Sequence, residues 1–275
     1  MSVIIRTPRS IQPQDSPLID QRFARGAVFW NGAYPEIISA NGIARIGTKV
    51  NPIYTVGQEG KAVYFTNGAD PTTGINLDNV TLPVTDAFTI LVVAHPTSEA
   101  TKRIAFSQKI LGFFQTQVSL GFNVGDTLTT EADSVTLYTR NTSAYSSNAR
   151  ATSQIDGNAH CWVVSNSTTG GAMYRDGVPQ TLATNTPMTE GTFYESTSTT
   201  AVGNLYNADF TTRFPYPLFL VVAWPRFLPL AEQQFLSANP WQVFAPIKRT
   251  FGRSAAAAGF TFKSRYFYDH IGRPS

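Results

Sequence analysis

The chain has 275 residues, 42% of them hydrophobic and 14% charged, and its formal net charge at neutral pH is +3. This hydrophobic content is ordinary for a globular protein, and the length fits one large domain with extensions. A single cysteine, Cys161, excludes an internal disulfide and a cysteine-rich metal cluster. Because it stands in a strand-like run, we expect a buried free thiol.

The positive charge is concentrated at the two ends of the chain. Residues 246–275 contain six Lys or Arg and one acid, and residues 1–26 contain four Arg and two Asp, whereas the segment between them is net acidic. Basic termini on an acidic body predict contact with an acidic partner, although solvated tails are an equal alternative. We expect a protein partner rather than nucleic acid.

The N-terminal half reads as an extended arm followed by short strands. Residues 1–21 contain three prolines and no sustained periodicity, which predicts an arm. Residues 26–30 and the Asn-Gly pair after them predict an opening strand and its turn. Residues 88–94 form an apolar run that ends at Pro96, which predicts a central strand. His95, at the end of this run, reads as a rim histidine rather than a metal ligand.

The middle of the chain predicts antiparallel strands joined by short connections. Residues 141–158 read as a polar loop. In residues 160–165 we expect Trp162 and Val164 to point into the core and Val163 to point the other way. Asp176 and Gly177 predict a tight turn into the next strand.

The C-terminal third predicts a buried strand, a short helix and a sharp stop. Residues 218–224 are an apolar run bounded by prolines, too short to cross a bilayer and suited to a strand covered on both faces. Pro229 fits the first helical position. Leu228, Ala231 and Phe235 recur at the spacing of one apolar helix face. The Asn239-Pro240 pair predicts the end of the helix.

Several segments, spread over about residues 27–245, carry a resemblance to a known family, and two of them are the most specific. Residues 226–241, RFLPLAEQQFLSANPW, resemble the closing segment R-x-L-S-x-x-E-x-x-x-L-x-x-N-P-W of laminin-G-like (concanavalin A-like) domains found in tailed-phage structural proteins. The sequence departs from that pattern at Pro229, where the family has a capping Ser. Residues 160–178 are similar to the family's W-x-x-V…L-Y-V-D-G-V hairpin.

This resemblance implies an all-β fold and an assembled particle. The expected fold is an antiparallel jelly-roll β-sandwich over residues 22–249, with one short C-terminal helix, an N-terminal arm (1–21) and an aromatic, basic extension (250–275). Left alone, an aromatic extension would expose a sticky strand edge, so we expect another subunit or a neighbouring protein to cover it, and we expect a homo-oligomer.

The sequence contains no glycine-rich phosphate loop, no G-x-S-x-G, no H-E-x-x-H and no Cys/His cluster. Glycosidases with this sandwich fold use E-x-D-x-x-E, and Glu131 and Asp133 match only its first two acids. We interpret them as part of a solvated loop. We therefore expect no catalytic residues, no cofactor, no metal site and no enzymatic activity.

The functional hypothesis is a structural component of a tailed-phage virion, in the tail, baseplate or head surface, assembled in the host cytoplasm. It would dock on other virion proteins and present the sandwich outward, without membrane insertion. The alternative is a receptor adhesin that binds a host surface glycan, with Tyr145, Asn141 and Asn148 as candidate carbohydrate-binding residues. A polysaccharide depolymerase using Glu131 and Asp133 is the third hypothesis.

Overall fold

The computed structural model describes residues 23, 26–32, 37–40, 43–46, 53–57, 60–64, 75–78, 84, 86–110, 116–124, 130–140, 146–188, 198–203 and 214–244. All of these belong to one unit, residues 1–245. The predicted arm (1–21) and extension (250–275) lie outside the described residues.

The described residues form seventeen strands and one α-helix, which a short 3-10 turn follows. The strands are β1 (Val28–Asn31), β2 (Ile37–Ala40), β3 (Ile43–Ile46), β4 (Ile53–Gly57), β5 (Gly60–Tyr64), β6 (Ile75–Asp78), β7 (Ala87–Ala94), β8 (Arg103–Ile110), β9 (Thr116–Val124), β10 (Thr130–Arg140), β11 (Ser146–Ala151), β12 (His160–Ser167), β13 (Gly170–Arg175), β14 (Val178–Pro179), β15 (Thr184–Asn185), β16 (Ser198–Val202) and β17 (Leu218–Trp224). The helix is α1 (Leu230–Ala238), and the 3-10 turn is Pro240–Val243.

The strands form two antiparallel sheets. The ten-stranded sheet has the order β14-β13-β12-β7-β17-β1-β2-β3, with β5 also paired to β17 and β4 paired to β5. The seven-stranded sheet has the order β15-β11-β10-β9-β8-β16-β6. Every strand pairing between described residues is antiparallel, as the short connections predict.

The centre of the ten-stranded sheet consists of β7 and β17, which pair with each other and are buried along their whole length. Ile90 and Val92 point into the core between the sheets, whereas Leu91 and Val93 point into a second apolar cluster on the outer face. This two-sided burial explains why both strands are almost continuously apolar, and it confirms the predicted buried strands.

The predicted orientation of β12 is also confirmed. Trp162 and Val164 lie in the core between the sheets, and Val163 lies in the outer cluster. The Trp162 ring meets Phe122 of the facing sheet edge-on, with ring centroids 5.1 Å apart and planes at 78°.

The helix and the 3-10 turn cover the outer face of the ten-stranded sheet. Leu228, Leu236, Val243 and Phe244 pack with the outward residues of the central strands in the outer cluster. Pro229 is the N-cap, with φ −51° and ψ 140°, so the helix begins one residue later than predicted. Asn239 ends it and the 3-10 turn begins at Pro240, as the Asn-Pro pair predicts.

Of the predicted apolar face, Leu228 is buried as expected, but the prediction is wrong for Phe235 and Ala231. Phe235 is 50% exposed and Leu230 is 51% exposed. Ala231 is exposed as well, and the buried helix residues are Gln233, Leu236 and Ser237. The helix therefore presents an apolar surface outward and two polar side chains inward.

Hydrogen bonds to distant strands and loops explain this inversion. The Gln233 Nε2 donates to the Leu228 carbonyl at 2.6 Å, and its Oε1 accepts from the Ser165 hydroxyl at 2.9 Å. The Ser237 hydroxyl accepts from the Gly177 N–H at 2.9 Å. A satisfied buried amide and hydroxyl carry little desolvation penalty, so these tertiary contacts override the local apolar spacing.

The predicted polar loop over residues 141–158 is also corrected, because β11 (Ser146–Ala151) lies inside it and pairs with β10. Among the described residues, the helical segment is too short and insufficiently apolar to span a membrane. Within the same part of the chain, no group of three or more His, Cys, Asp or Glu is arranged to hold a metal ion.

Candidate functional site

A pocket of about 270 Å³ opens on the outer face of the ten-stranded sheet, where β12 begins and the helix ends. Strands β7 and β12 contribute Val93 and Cys161, and the chain after the helix contributes Trp241. Polar groups complete the lining: His160, Asp176, Ser237, Asn239 and Gln242. The pocket thus combines one large aromatic ring with imidazole, carboxylate, hydroxyl and amide groups.

His160, at the start of β12, lies between two carboxylates. Its Nδ1 is 2.5 Å from Asp176 Oδ2, and its Nε2 is 2.8 Å from Asp156 Oδ1. The hydrogen bond from His160 holds the pKa of the Asp156 carboxyl below its usual range. Two partners therefore fix the imidazole ring, which meets Trp162 edge-on at a centroid distance of 5.5 Å.

Asp176 occupies the turn between β13 and β14. Its φ is 50° and that of Gly177 is 81°, which confirms the predicted tight turn. The Asp176 Oδ1 accepts from the Cys161 N–H at 2.9 Å, so the carboxylate ties the turn to β12. A Cβ at residue 177 would lie 2.9 Å from the Cβ of Ala238, and this close approach to the helix requires glycine.

The helix end is fixed to the same turn. The Gly177 carbonyl accepts from Gln234 Nε2 at 2.9 Å, in addition to the contact between its N–H and Ser237. The last turn of the helix therefore forms one wall of the pocket, which Asp176 and His160 also line. These side chains come from segments far apart in sequence.

Trp241 differs from the other tryptophans. The sequence contains four tryptophans, and Trp30, Trp162 and Trp224 are each 0% exposed. Trp241 is only partly buried and lines the pocket. Its ring stacks on Phe244, with centroids 5.9 Å apart and planes at 29°. Phe244 in turn meets Phe29 edge-on at 5.2 Å, so packing against the sheet orients the indole.

Of the three sequence-predicted carbohydrate residues, the structure describes Asn148. Tyr145 and Asn141 fall outside the described residues. Asn148 lies on β11 opposite Tyr138, and both are 5% exposed. The neighbouring Ala149 belongs to the core between the sheets, so Asn148 is on the other face of the seven-stranded sheet. Asn148 does not line the pocket, and the three residues remain a prediction.

The prediction of a solvated loop around Glu131 and Asp133 is wrong, because both lie in β10. The pairing of β10 with β9 shifts register between Thr130 and Val135, and Asp133 has a φ of 59°. At this bulge the Asp133 N–H donates to Asn123 Oδ1 at 3.0 Å. Glu131 forms an ion pair with Arg150 of β11.

His95 follows β7 at the edge of the sheet. It is partly buried, and its Nε2 lies 2.7 Å from the Gly157 carbonyl. The expected buried thiol is confirmed, because Cys161 is 3% exposed.

Sequence analysis did not identify His160, Asp176 and Trp241 as a site. Asp176 was attributed to a turn and Trp241 to a closing motif. The one local signal is the spacing of four residues between Asp156 and His160, which is too common to indicate a pocket.

Comparison with solved structures identifies proteins of similar fold. Domain 4 of AbnA, a GH43 extracellular arabinanase from Geobacillus stearothermophilus in complex with arabinotriose, is 14% identical, with a TM-score of 0.50 over 76% of this chain and 97% of that domain. The binding domain of botulinum neurotoxin serotype D/C VPI 5993 is 9% identical, with a TM-score of 0.55 over 84% of this chain and 53% of that chain.

This chain is an antiparallel jelly-roll β-sandwich. The fold predicted from the resemblance is thereby confirmed. A mutant of HCR D/C VPI 5995 superposes with a TM-score of 0.57 at 9% identity, over 81% of this sandwich and 53% of that chain. No protein-family model and no curated protein matches the sequence.

Proposed function

We propose that this β-sandwich is a carbohydrate-binding protein whose sugar site is the pocket beside Trp241. The observation that carries the proposal is the partly exposed indole, which stacks on Phe244 and lines the same pocket as imidazole, carboxylate and amide groups. Sugar rings present apolar C–H faces that pack on aromatic rings, and hydroxyls that need hydrogen-bonding partners. The pocket offers both kinds of contact within a small volume.

The comparison with solved structures agrees with this proposal but is not its main evidence. The arabinanase domain is a sandwich of similar fold whose structure contains arabinotriose. Because fold does not determine function, the evidence specific to this chain is the set of side chains around Trp241.

A glycan array followed by titration calorimetry tests the proposal. We expect the full-length protein to bind at least one glycan, and Trp241→Ala to weaken that binding by about tenfold or more, since buried aromatic contacts dominate such sites. Phe235→Ala is the matched control, because it removes a half-exposed aromatic ring from the helix that precedes the 3-10 turn of Trp241. Absence of any glycan binding, or equal weakening by the two variants, would overturn the proposal.

We further propose that the protein is a structural component of a tailed-phage virion, assembled in the host cytoplasm as a homo-oligomer and docked on other virion proteins. The resemblance of residues 226–241 supports this setting. So do Leu230, Phe235 and Val178, which are each at least half exposed, because exposed apolar groups suit protein contacts. Mass spectrometry of purified particles should find the chain in fixed stoichiometry, and its absence from intact virions would refute the role.

We propose a binding role without catalysis. The ion pair of Glu131 with Arg150 supports this, because it occupies one of the two acids that a depolymerase would need free. We expect no cleavage of any polysaccharide that the protein binds. Cleavage that disappears in a Glu131→Gln/Asp133→Asn variant would overturn this assignment.

A further inference from the structure

Among the described residues that line the pocket at Trp241, none is Lys or Arg. Asp176 contributes a carboxylate to this lining, and its side chain is 47% exposed, so it is accessible to a ligand. Arg175, on the same hairpin, is not among these lining residues. Its Nη1 donates to the Gln154 carbonyl at 2.9 Å and lies 3.8 Å from Asp156 Oδ2.

The helix adds negative potential to the same space. Ser237 and Ala238, from its last turn, and Asn239, its C-cap, line the pocket. The C-terminus of a helix carries a partial negative charge from its unpaired carbonyls, and cationic groups are favoured there. This helix has no basic residue in its last turn, so no side chain of its own supplies that cation.

The aromatic wall favours the same kind of ligand. The face of an indole attracts a cation placed over it, and the attraction is strongest for Trp among the aromatic side chains. Trp241, Asp176 and the helix end therefore all favour a cationic ligand. His160 contacts both Asp176 and Asp156 through its ring nitrogens, so even a doubly protonated imidazole sets one positive charge against two carboxylates.

We infer that the pocket selects sugars with a free amino group, in its protonated form, over their neutral counterparts. This inference rests on the proposed carbohydrate-binding function and narrows it to one chemical class, amino sugars. The ammonium group would hydrogen-bond to Asp176 at the helix end while the sugar ring packs on Trp241. Such a charge-assisted hydrogen bond is about twice as strong as a neutral one.

The test uses two oligosaccharides that differ only at the amine. Titration calorimetry on the full-length protein compares the tetrasaccharide of β-1,4-linked glucosamine with that of N-acetylglucosamine, which has the same ring and linkage. We expect the amine form to bind about tenfold more tightly or better. Its affinity should fall as salt is raised from about 0.05 M to 0.5 M, whereas weak binding of the acetylated form should not.

Asp176→Asn tests the assigned carboxylate. It keeps the shape of the side chain and tolerates the positive φ of the turn, and we expect it to remove most of the preference for the amine. Glu232→Gln is the matched control, because it removes the same charge from the first turn of the helix, outside the pocket, and should leave the preference unchanged.

The possible failures are distinguishable. Equal or tighter binding of the acetylated tetrasaccharide would overturn the amine preference and leave the carbohydrate proposal in place. An equal loss of the preference for the amine in Asp176→Asn and Glu232→Gln would also overturn it, since a long-range charge effect would then explain the preference. Binding of tetralysine as tight as that of the amino sugar would assign the pocket to a basic protein segment instead. Binding of no glycan in the array would overturn both proposals.

Discussion

Glu99 illustrates how single residues hold the connections of this sandwich in place. Its two carboxylate oxygens accept from Arg103 Nε and Nη2 at 2.6 and 3.0 Å, and the Tyr216 hydroxyl donates to the same carboxylate. Burial alone would raise the pKa of Glu99, but these hydrogen bonds outweigh it and keep that pKa below the ordinary value. The group thereby joins the segment before β8 to the segment before β17.

Tyr216 should give the protein an alkaline stability limit that can be measured. Burial, together with the Glu99 carboxylate, raises the pKa of Tyr216 to about 12. The folded state thus holds this proton more tightly than the unfolded chain, whose tyrosines titrate near pH 10. The resulting stabilisation is fully present below about pH 10 and is lost as the pH rises through about 12.

We expect Tyr216→Phe to lower the Tm at pH 7 through loss of the hydrogen bond to Glu99, and we expect the difference from the wild type to shrink between about pH 10 and 12. Thermal melts followed by circular dichroism across this range measure the effect. Tyr174→Phe, in β13, serves as the control for general alkaline destabilisation. A difference that stays constant over the whole range would contradict the account.

The helix is the element in which local pattern and tertiary structure disagree. Its apolar spacing correctly predicts a helix that ends at the Asn-Pro pair, but it places the wrong side against the sheet. Leu236 is 0% exposed and Phe235 is 50% exposed. The inner face depends on Gln233 bonding to Ser165, which is 68 residues away in the sequence, and no local pattern reveals such a partner.

This orientation predicts a large difference between two adjacent substitutions. Leu236→Ala removes a side chain from the cluster on the outer face of the ten-stranded sheet, and it should cost roughly 2–5 kcal/mol of unfolding free energy. Phe235→Ala should change that free energy by less than about 0.5 kcal/mol. Urea unfolding of both variants measures the difference. Similar losses would instead favour the face predicted from spacing.

The strands were easier to predict than the helix face, for a physical reason. β7 and β17 are covered on both sides, so nearly all their residues are apolar, and the sequence shows each strand as a continuous apolar run. The Asp-Gly turn is equally local, because its positive φ angles favour those two residue types. Glu131 and Asp133 look like a polar loop in sequence. A bulge and an ion pair to another strand stabilise them in β10, and neither feature is visible in the local sequence.

At the scale of the whole molecule, the ten-stranded sheet separates two apolar clusters. One fills the space between the sheets, and the other lies beneath the helix and the 3-10 turn. The pocket opens at the edge of the second cluster, and its walls come from β7, β12, the β13–β14 turn, the last turn of the helix and the segment after it. Sequence analysis could not assemble it, since only the antiparallel register brings these segments together.

The central claim is that a sugar packs on Trp241, and acrylamide quenching of tryptophan fluorescence tests it most directly. The other three tryptophans are 0% exposed, so quenching in the folded protein should come mainly from Trp241. We predict that a glycan at concentrations that calorimetry shows to be saturating reduces this quenching strongly. Unchanged quenching at saturation would place the sugar elsewhere and contradict the account.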